Sequence, residues 1–256
     1  MNIGVIGIGT VGKPLYNALK YYHETVYAYD IKKEYDFWTR MLECDTVFIC
    51  VPTDQHQKGR LNMNHVDGIL NRLQDDGFKG LAVIKSTLGL GYINKKIDES
   101  NFDIAVFPEW LRAVNALPGT LKPEMSVIGI KNRSKIIGDE VLKACVWHKN
   151  TVNHIVLPEE AVMIKLTANA LASTKISFAN QIHLICKEYN IDAKNVMDLI
   201  KKDPRCSPRY LTPGKSFGGH CLIKDTSELS NCCEKTPQIS ATLLINKIME
   251  KMEKKK

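Results

Sequence analysis

Met1-Asn-Ile-Gly-Val-Ile-Gly-Ile-Gly-Thr-Val-Gly12 opens the chain, and its reading decides the fold. An apolar run begins at the first residue and passes into Gly7-x-Gly9-x-x-Gly12, after which Lys13 to Tyr21 follows a helical pattern. A buried strand here turns tightly into a helix whose amino end offers free N–H groups and a positive dipole to a pyrophosphate. A second apolar run, Thr25-Val-Tyr-Ala-Tyr29, ends in Asp30, about 20 residues on, where an acid meets the 2′-hydroxyl of an adenosine ribose. Gly7, Gly9, Thr10, Val11, Gly12 and Asp30 are therefore expected to hold a dinucleotide. The acid favours NAD over NADP because it repels a 2′-phosphate, a preference that Lys32 and Lys33 soften.

The same alternation continues through the middle of the chain. Thr46-Val-Phe-Ile-Cys-Val51 reads as a buried strand stopping at Pro52-Thr53. Asn64 to Leu73 is a helix with Val66, Ile69, Leu70 and Leu73 on one side. Leu81-Ala-Val-Ile84 ends at Lys85-Ser86-Thr87, and Ile104-Ala-Val-Phe107 ends at Pro108-Glu109. Short apolar runs of this kind belong to parallel strands covered by helices on both faces, and such sheets bind ligands at their strand carboxyl ends. Thr53, Ser86, Thr87 and Glu109 gather at those ends. Helix capping explains Thr53 or Thr87 singly; their recurrence points to a site.

Beyond Val127-Ile-Gly-Ile130, a helix at Ser134 to Cys145 and an apolar stretch at His154 to Leu157, the pattern changes. Pro158 begins a segment running to Tyr189 without glycine or further proline. Ala161, Ile164, Lys165, Ala168, Ala172, Lys175, Ile176 and Ala179 recur at helical spacing, so Lys165 and Asn169 share a face. Alone, that pair equally fits a solvated surface. The many alanines suit close packing against a second subunit. The expected fold class is α/β: an N-terminal Rossmann-type parallel sheet over 1–157, then a long-helix α-helical dimerisation domain over 158–256.

The second informative stretch is Thr212-Pro-Gly-Lys-Ser-Phe-Gly-Gly-His-Cys221-Leu-Ile-Lys-Asp225. It reads as a loop in which a cysteine follows a glycine pair, with a cation and an acid three and four residues on. A thiolate nucleophile needs an exposed, electropositive setting, and flanking glycines let a ligand approach the backbone. An inert thiol in a loop fits the same residues.

Composition sets limits. The 256 residues suffice for one large or two modest domains. The opening strand lacks the cationic start of a signal peptide, and no apolar run approaches the ~20 residues of a membrane span, so a cytoplasmic location is expected. The eight cysteines show no metal spacing, so no metal is expected and reduced thiols are. The net charge of +7 owes much to a lysine-rich end, Lys247 to Lys256. It suits an anionic substrate without being a nucleic-acid signature.

Taken in order, Gly7-Ile-Gly-Thr-Val-Gly12, Val51-Pro-Thr53, Lys85-Ser-Thr87, Pro108-Glu-Trp-Leu-Arg112, Lys165-Leu-Thr-Ala-Asn169 and Gly218-Gly-His-Cys-Leu-Ile-Lys-Asp225 resemble the UDP-glucose/GDP-mannose dehydrogenase family, most closely its UDP-glucose 6-dehydrogenases. The resemblance runs from Met1 to about Lys251. It implies a four-electron oxidation by two NAD molecules, with UDP-glucose the leading nucleotide-sugar and a homodimer built through the 158–189 helix. It makes Cys221 the nucleophile that captures a C6 aldehyde, first as thiohemiacetal and then as thioester. It sets Lys165 and Asn169 against the oxyanion, Asp225 with an ordered water in proton transfer, and Glu109 in activating the hydrolytic water. Thr87 and Lys224, with Thr53, fall on the cofactor side. Arg205, Tyr210, Leu211, Thr212, Pro213, Gly214 and Gly218 match positions that hold the nucleotide-sugar, the arginine lent by a partner subunit.

Two departures accompany the resemblance. Ala113 stands where the family has a second glutamate. The family also continues into a third domain that grips the nucleotide, which is expected to be absent here, so a separate polypeptide supplying that grip is a further expected partner. A UDP-N-acetylhexosamine or GDP-mannose substrate, a catalytically weak NAD-binding partner protein, and a single-step β-hydroxyacid dehydrogenase stay open as other readings.

Overall fold

A computed structural model describes residues 1–254 apart from Lys33, Gln57, 111–115 and Glu124. Arg112 and Ala113 of the motif readings, with Lys33, therefore lie outside the described residues. The chain forms two compact units, one of residues 1–54 and 62–164, the other of 55–61 and 165–256.

The first unit is a seven-stranded sheet flanked by helices. Its strands are β1 (Ile3–Ile6), β2 (Val26–Tyr29), β3 (Thr46–Ile49), β4 (Leu81–Ile84), β5 (Asp103–Val106), β6 (Ser126–Ile130) and β7 (Asn153–Val156), ordered 2-1-3-4-5-6-7. β1, β3 and β4 are buried at every residue, which is why they read as unbroken apolar runs rather than alternating ones. Ile3 registers with Val26 on one side and Thr46 on the other, so the carboxyl ends of β1 to β5 share one edge. The helices of this unit are α1 (Gly12–Tyr22), α2 (Thr39–Leu42), α3 (Asn64–Asp75), α4 (Ile93–Glu99), α5 (Ala116–Leu121) and α6 (Lys135–Ala144). Leu15, Ala18 and Leu19 of α1 and Val141 and Ala144 of α6 join Ile3, Val5, Phe48 and Val83 in one core.

The sheet is parallel as expected over five strands, with one departure. β6 pairs antiparallel to β5, and β7 runs parallel to β6, so the last two strands oppose the rest. Apolar composition reports that a strand is buried and carries nothing about its direction.

The long helix α7 (Pro158–Glu188) begins in the first unit and runs into the second, which adds α8 (Ala193–Ile200), α9 (His220–Asn231) and α10 (Pro237–Glu253). Its apolar centre is small, with Ala179, Met197 and Leu211 packed together beside Ile182 and Cys206. Polar bonds do much of the joining. Ser177 donates to the Thr242 carbonyl at 2.8 Å, Thr174 and Thr242 hydroxyls meet at 3.1 Å, and Thr226 donates to Ser173 at 2.8 Å. Among the described residues no helix is long and apolar enough to cross a membrane.

Candidate active site

In the first unit the glycine turn behaves as its spacing demands. Gly7 has φ of 89°, a left-handed conformation that side chains rarely adopt. A Cβ on Gly12 would lie 1.9 Å from the Gly7 carbonyl oxygen, so the first and third glycines are what let α1 start against β1. At Gly9 a Cβ would meet nothing within 4 Å, and Gly9 and Thr10 are exposed. The turn thus leaves open space in front of the amino end of α1. Asp30, at the end of β2, accepts from the Ile8 N–H at 2.7 Å and from the Lys32 N–H at 2.9 Å, which fixes its carboxylate beside that turn.

At the neighbouring strand ends Thr53 is buried, Thr87 is half-buried, and Ser86 donates to the Val51 carbonyl at 2.7 Å, joining β3 and β4 beyond their last ladder bonds. Glu109 is not a loose carboxylate. Lys85 Nζ lies 3.1 Å from its Oε2 with both side chains nearly buried, and the Trp110 N–H donates to Oε1 at 2.9 Å. The same ammonium stands 4.0 Å over the Phe107 ring. Lys85, Glu109, Phe107, Thr120, Cys145, Trp147 and His148 line a small cavity. Burial, helped by the Lys85 cation, pushes the His148 imidazole down to about 4, and burial pushes the Cys50 and Cys145 thiols up to about 12. These thiols are inert core groups. Neither Lys85 as the partner of Glu109 nor His148 beside it was foreseen, since the partners lie 24 and 39 residues from Glu109 with no shared motif.

In the second unit Cys221 is not in a loop. Gly219, with φ of 83°, is the N-cap of α9, and Cys221 is the second residue of the helix. The glycine pair ends the preceding irregular stretch, and helix follows at once. Two consequences follow. Cys221 is exposed in the first turn of α9. Lys224 and Asp225, three and four residues on, lie one turn below it.

Asp225 is wholly buried and held from two sides. Asn169 Nδ2 donates to its Oδ2 at 2.6 Å and Lys224 Nζ to its Oδ1 at 2.6 Å. Lys224, expected on the cofactor side, is buried and directed to Asp225. Lys165 and Asn169 are half-buried rather than solvated, and on α7 they continue into a polar stripe of Ser173, Ser177 and Asn180, each buried. Steps of four, four, four and three residues keep all five on one face. The sequence reading has only Lys165 and Asn169 on this face; polar residues at helical spacing in an alanine-rich helix are the signal that extends it to Ser173, Ser177 and Asn180.

The expected sugar-binding positions divide. Thr212, Gly214 and Gly218 are exposed and Pro213 is half-buried, while Tyr210 takes a left-handed φ of 69°. Leu211 departs from expectation: its side chain is 5% exposed and packs in the core, so only its main chain can reach a ligand. Arg205 is exposed and forked onto Asp203, at 3.0 Å through Nε and 2.6 Å through a terminal nitrogen, which raises its already high basicity. α9 also carries a buried Glu228, which accepts from Arg60 Nε at 2.9 Å and from the Leu61 N–H at 2.7 Å, while Gln55 donates to Ser227 at 2.7 Å. Residues 55–61 are thus strapped to the helix that bears the cysteine. Among the described residues no group of three or more His, Cys, Asp or Glu is placed to hold a metal ion.

Residues 31–146 match the UDP-glucose/GDP-mannose dehydrogenase family, NAD binding domain, and residues 159–250 match the central domain of the same family. The chain belongs to the UDP-glucose/GDP-mannose dehydrogenase family. It is 31% identical over 190 residues to a UDP-glucose 6-dehydrogenase of Campylobacter jejuni, covering 72% of this chain and 48% of that protein. It is 30% identical over 216 residues to a GDP-mannose 6-dehydrogenase of Pseudomonas aeruginosa, covering 76% and 48%. The chain therefore spans about half the length of the curated relatives it matches. Its fold follows that of a UDP-glucose dehydrogenase from the archaeon Pyrobaculum islandicum, with a TM-score of 0.84 and 22% identity over 96% of this chain and 68% of the other. The first unit of this family member carries its NAD binding domain. The residues fit the cofactor: an open glycine turn faces a helix N-terminus, and a fixed carboxylate stands at the end of β2.

Proposed function

We propose that the chain carries the reaction centre of an NAD-dependent nucleotide-sugar 6-dehydrogenase, with Cys221 as nucleophile and UDP-glucose as the leading substrate. The observation that supports it best is the group around Asp225: an exposed cysteine one helical turn from a buried carboxylate held by Asn169 and Lys224. A structural thiol needs no such company.

Gly7, Gly9, Thr10, Val11, Gly12 and Asp30 hold the cofactor, with Thr53 and Thr87 on its nicotinamide side. NAD, when bound, accepts the two electrons of each oxidation. The Cys221 thiolate adds to the C6 aldehyde, forming a carbon–sulfur bond and an alkoxide. Lys165 and the Asn169 amide stabilise that oxyanion; Asn169 has a second N–H beyond the one given to Asp225. The next oxidation leaves an acyl group on sulfur, which water cleaves to a carboxylate and a free thiol because thiolate is a good leaving group. Asp225 takes a proton through water. Glu109 orients the hydrolytic water while Lys85 pairs with its carboxylate. Thr212, Pro213, Gly214, Gly218, Tyr210 and the Leu211 main chain hold the nucleotide-sugar, with Arg205 serving a partner subunit's site. Leu171, Phe178 and Ile185, seven residues apart on α7 and about half exposed, give the helix face for a homodimer.

The test is an NADH assay across UDP-glucose, UDP-N-acetylhexosamines and GDP-mannose. Two NADH per sugar acid are expected with one of them. No NADH from any, at high substrate and protein, overturns the reading in favour of a catalytically weak NAD-binding partner protein. Gel-filtration mass checks the dimer, and a monomer at micromolar concentration removes it.

A further inference from the structure

The stretch from Thr212 to Gly219 leads from the buried Leu211 into the N-cap of α9, and it has no regular structure. Among the described residues it makes no main-chain to main-chain hydrogen bond. Two buried asparagines hold it instead. Asn180 of α7, wholly buried, accepts from the Gly214 N–H at 2.8 Å and donates to the Lys215 carbonyl at 2.7 Å. Asn246 of α10, 3% exposed, accepts from the Phe217 N–H at 2.8 Å and donates to the Phe217 carbonyl at 3.0 Å, as a neighbouring strand would. Glu253 closes the outer side, its carboxylate accepting from both the N–H and the hydroxyl of Ser216.

A side-chain amide suits this task because it offers one acceptor and a donor in a plane, matching a peptide group. Aspartate would supply acceptors only, and would face a carbonyl with a like charge. Leaving the buried main-chain groups of Phe217 without partners is costly, and with the Asn180 bonds to Gly214 and Lys215 the two amides define one conformation of residues 214–217. Asn180 also stands on the α7 stripe that carries Lys165 and Asn169, so one helix supports both the oxyanion pair and this stretch.

We propose that Asn180 and Asn246 are positioning residues, which fix the nucleotide-sugar stretch and through it the first turn bearing Cys221. This rests on the reading of the preceding section. Neither side chain touches the reacting atoms.

The experiment compares the full chain with Asn180→Ala, Asn246→Ala and Asn246→Asp. The first readout is protection of Cys221 from iodoacetamide by UDP-glucose, followed on the Cys221 peptide by mass spectrometry. The concentration giving half protection is expected to rise about tenfold, the factor for one lost net hydrogen bond, while the KM for NAD stays within about twofold. A merely structural role would move both together or neither. The second readout is amide exchange, which should be slow at Gly214, Ser216 and Phe217 in the parent and faster in the variants. Folded variants with unchanged protection and unchanged exchange overturn the proposal. If no nucleotide-sugar protects the parent, the proposed function fails, and amide exchange alone then decides the positioning role. Should both alanine variants fail to fold, Glu253→Ala cuts the same stretch at its exposed end. It should weaken protection in the same sense, and no effect there refutes the inference.

Discussion

Lowering the pH should unload stability from the first unit through His148. The imidazole is 5% exposed, its ring lies 5.1 Å from that of Phe107, and its Nδ1 has no hydrogen-bond partner among the described residues. Burial and the Lys85 cation hold it at about 4, against an ordinary 6.5. Because the folded value is depressed, the unfolded chain takes up a proton first as pH falls. Stability is fully present above about 6.5, falls between 6.5 and about 4, and changes no further through this group below that. Two and a half pH units at about 1.4 kcal/mol each give a full loss of roughly 3.5 kcal/mol, of which about 3 is reached by pH 4. The assay is urea unfolding from pH 7.5 to 4, followed by tryptophan fluorescence. Trp38, Trp110 and Trp147, the three tryptophans, all belong to this unit, so the signal reports on it alone. His148→Gln removes the titration and keeps a polar side chain. The stability difference between parent and variant should change by about 3 kcal/mol across the range, in the variant's favour at low pH. Parallel curves would refute the buried neutral imidazole.

Other perturbations separate the parts of the site. Gly12→Ala places a methyl against the Gly7 carbonyl and should abolish folding of the first unit, whereas Gly9→Ala should fold yet weaken NAD binding tenfold or more, to order of magnitude, measured by cofactor fluorescence titration. Lys224→Met strips a buried carboxylate of its cation and should cost about 3–5 kcal/mol in a denaturant melt; adding Asp225→Asn should restore much of it. Cys221→Ser should lower the rate of sugar-acid formation by about three powers of ten or more, with NAD binding unchanged. At pH 8 iodoacetamide should label Cys221 and Cys233 in the native protein and leave Cys50 and Cys145 untouched, and labelling of the latter pair would contradict their burial.

The opening strand, its glycine turn and the Asp30 strand end were legible because their signals are local: a few residues impose the turn, and burial on both faces makes a continuous apolar run. The 158–189 helix was legible for the same reason, through the absence of breakers. What stayed hidden depends on distance or direction. β6 and β7 run against the other five strands, and neither composition nor period encodes which way a strand points. Lys85 meets Glu109 only because β4 and β5 are neighbours with matching ends. From the sequence Cys221 reads as a loop residue because Gly218-Gly219 looks like a break, while Gly219 is the N-cap that starts α9. Asn180 and Asn246 hold main chain, and a side chain that bonds backbone leaves no motif at its target.

The strap of residues 55–61 sets a schedule for making the protein. Arg60 and Gln55 leave the ribosome long before Glu228 and Ser227, which lie 168 and 172 residues later. At about 5–20 residues per second, that interval is roughly ten to thirty seconds, during which the segment waits for the helix it is bonded to. The helix that bears Cys221 is thus completed by a piece of chain synthesised in the first quarter of the sequence. A fragment starting at Lys165 would place Glu228 in the interior without its guanidinium, so the second unit is not a portable module despite its own compactness.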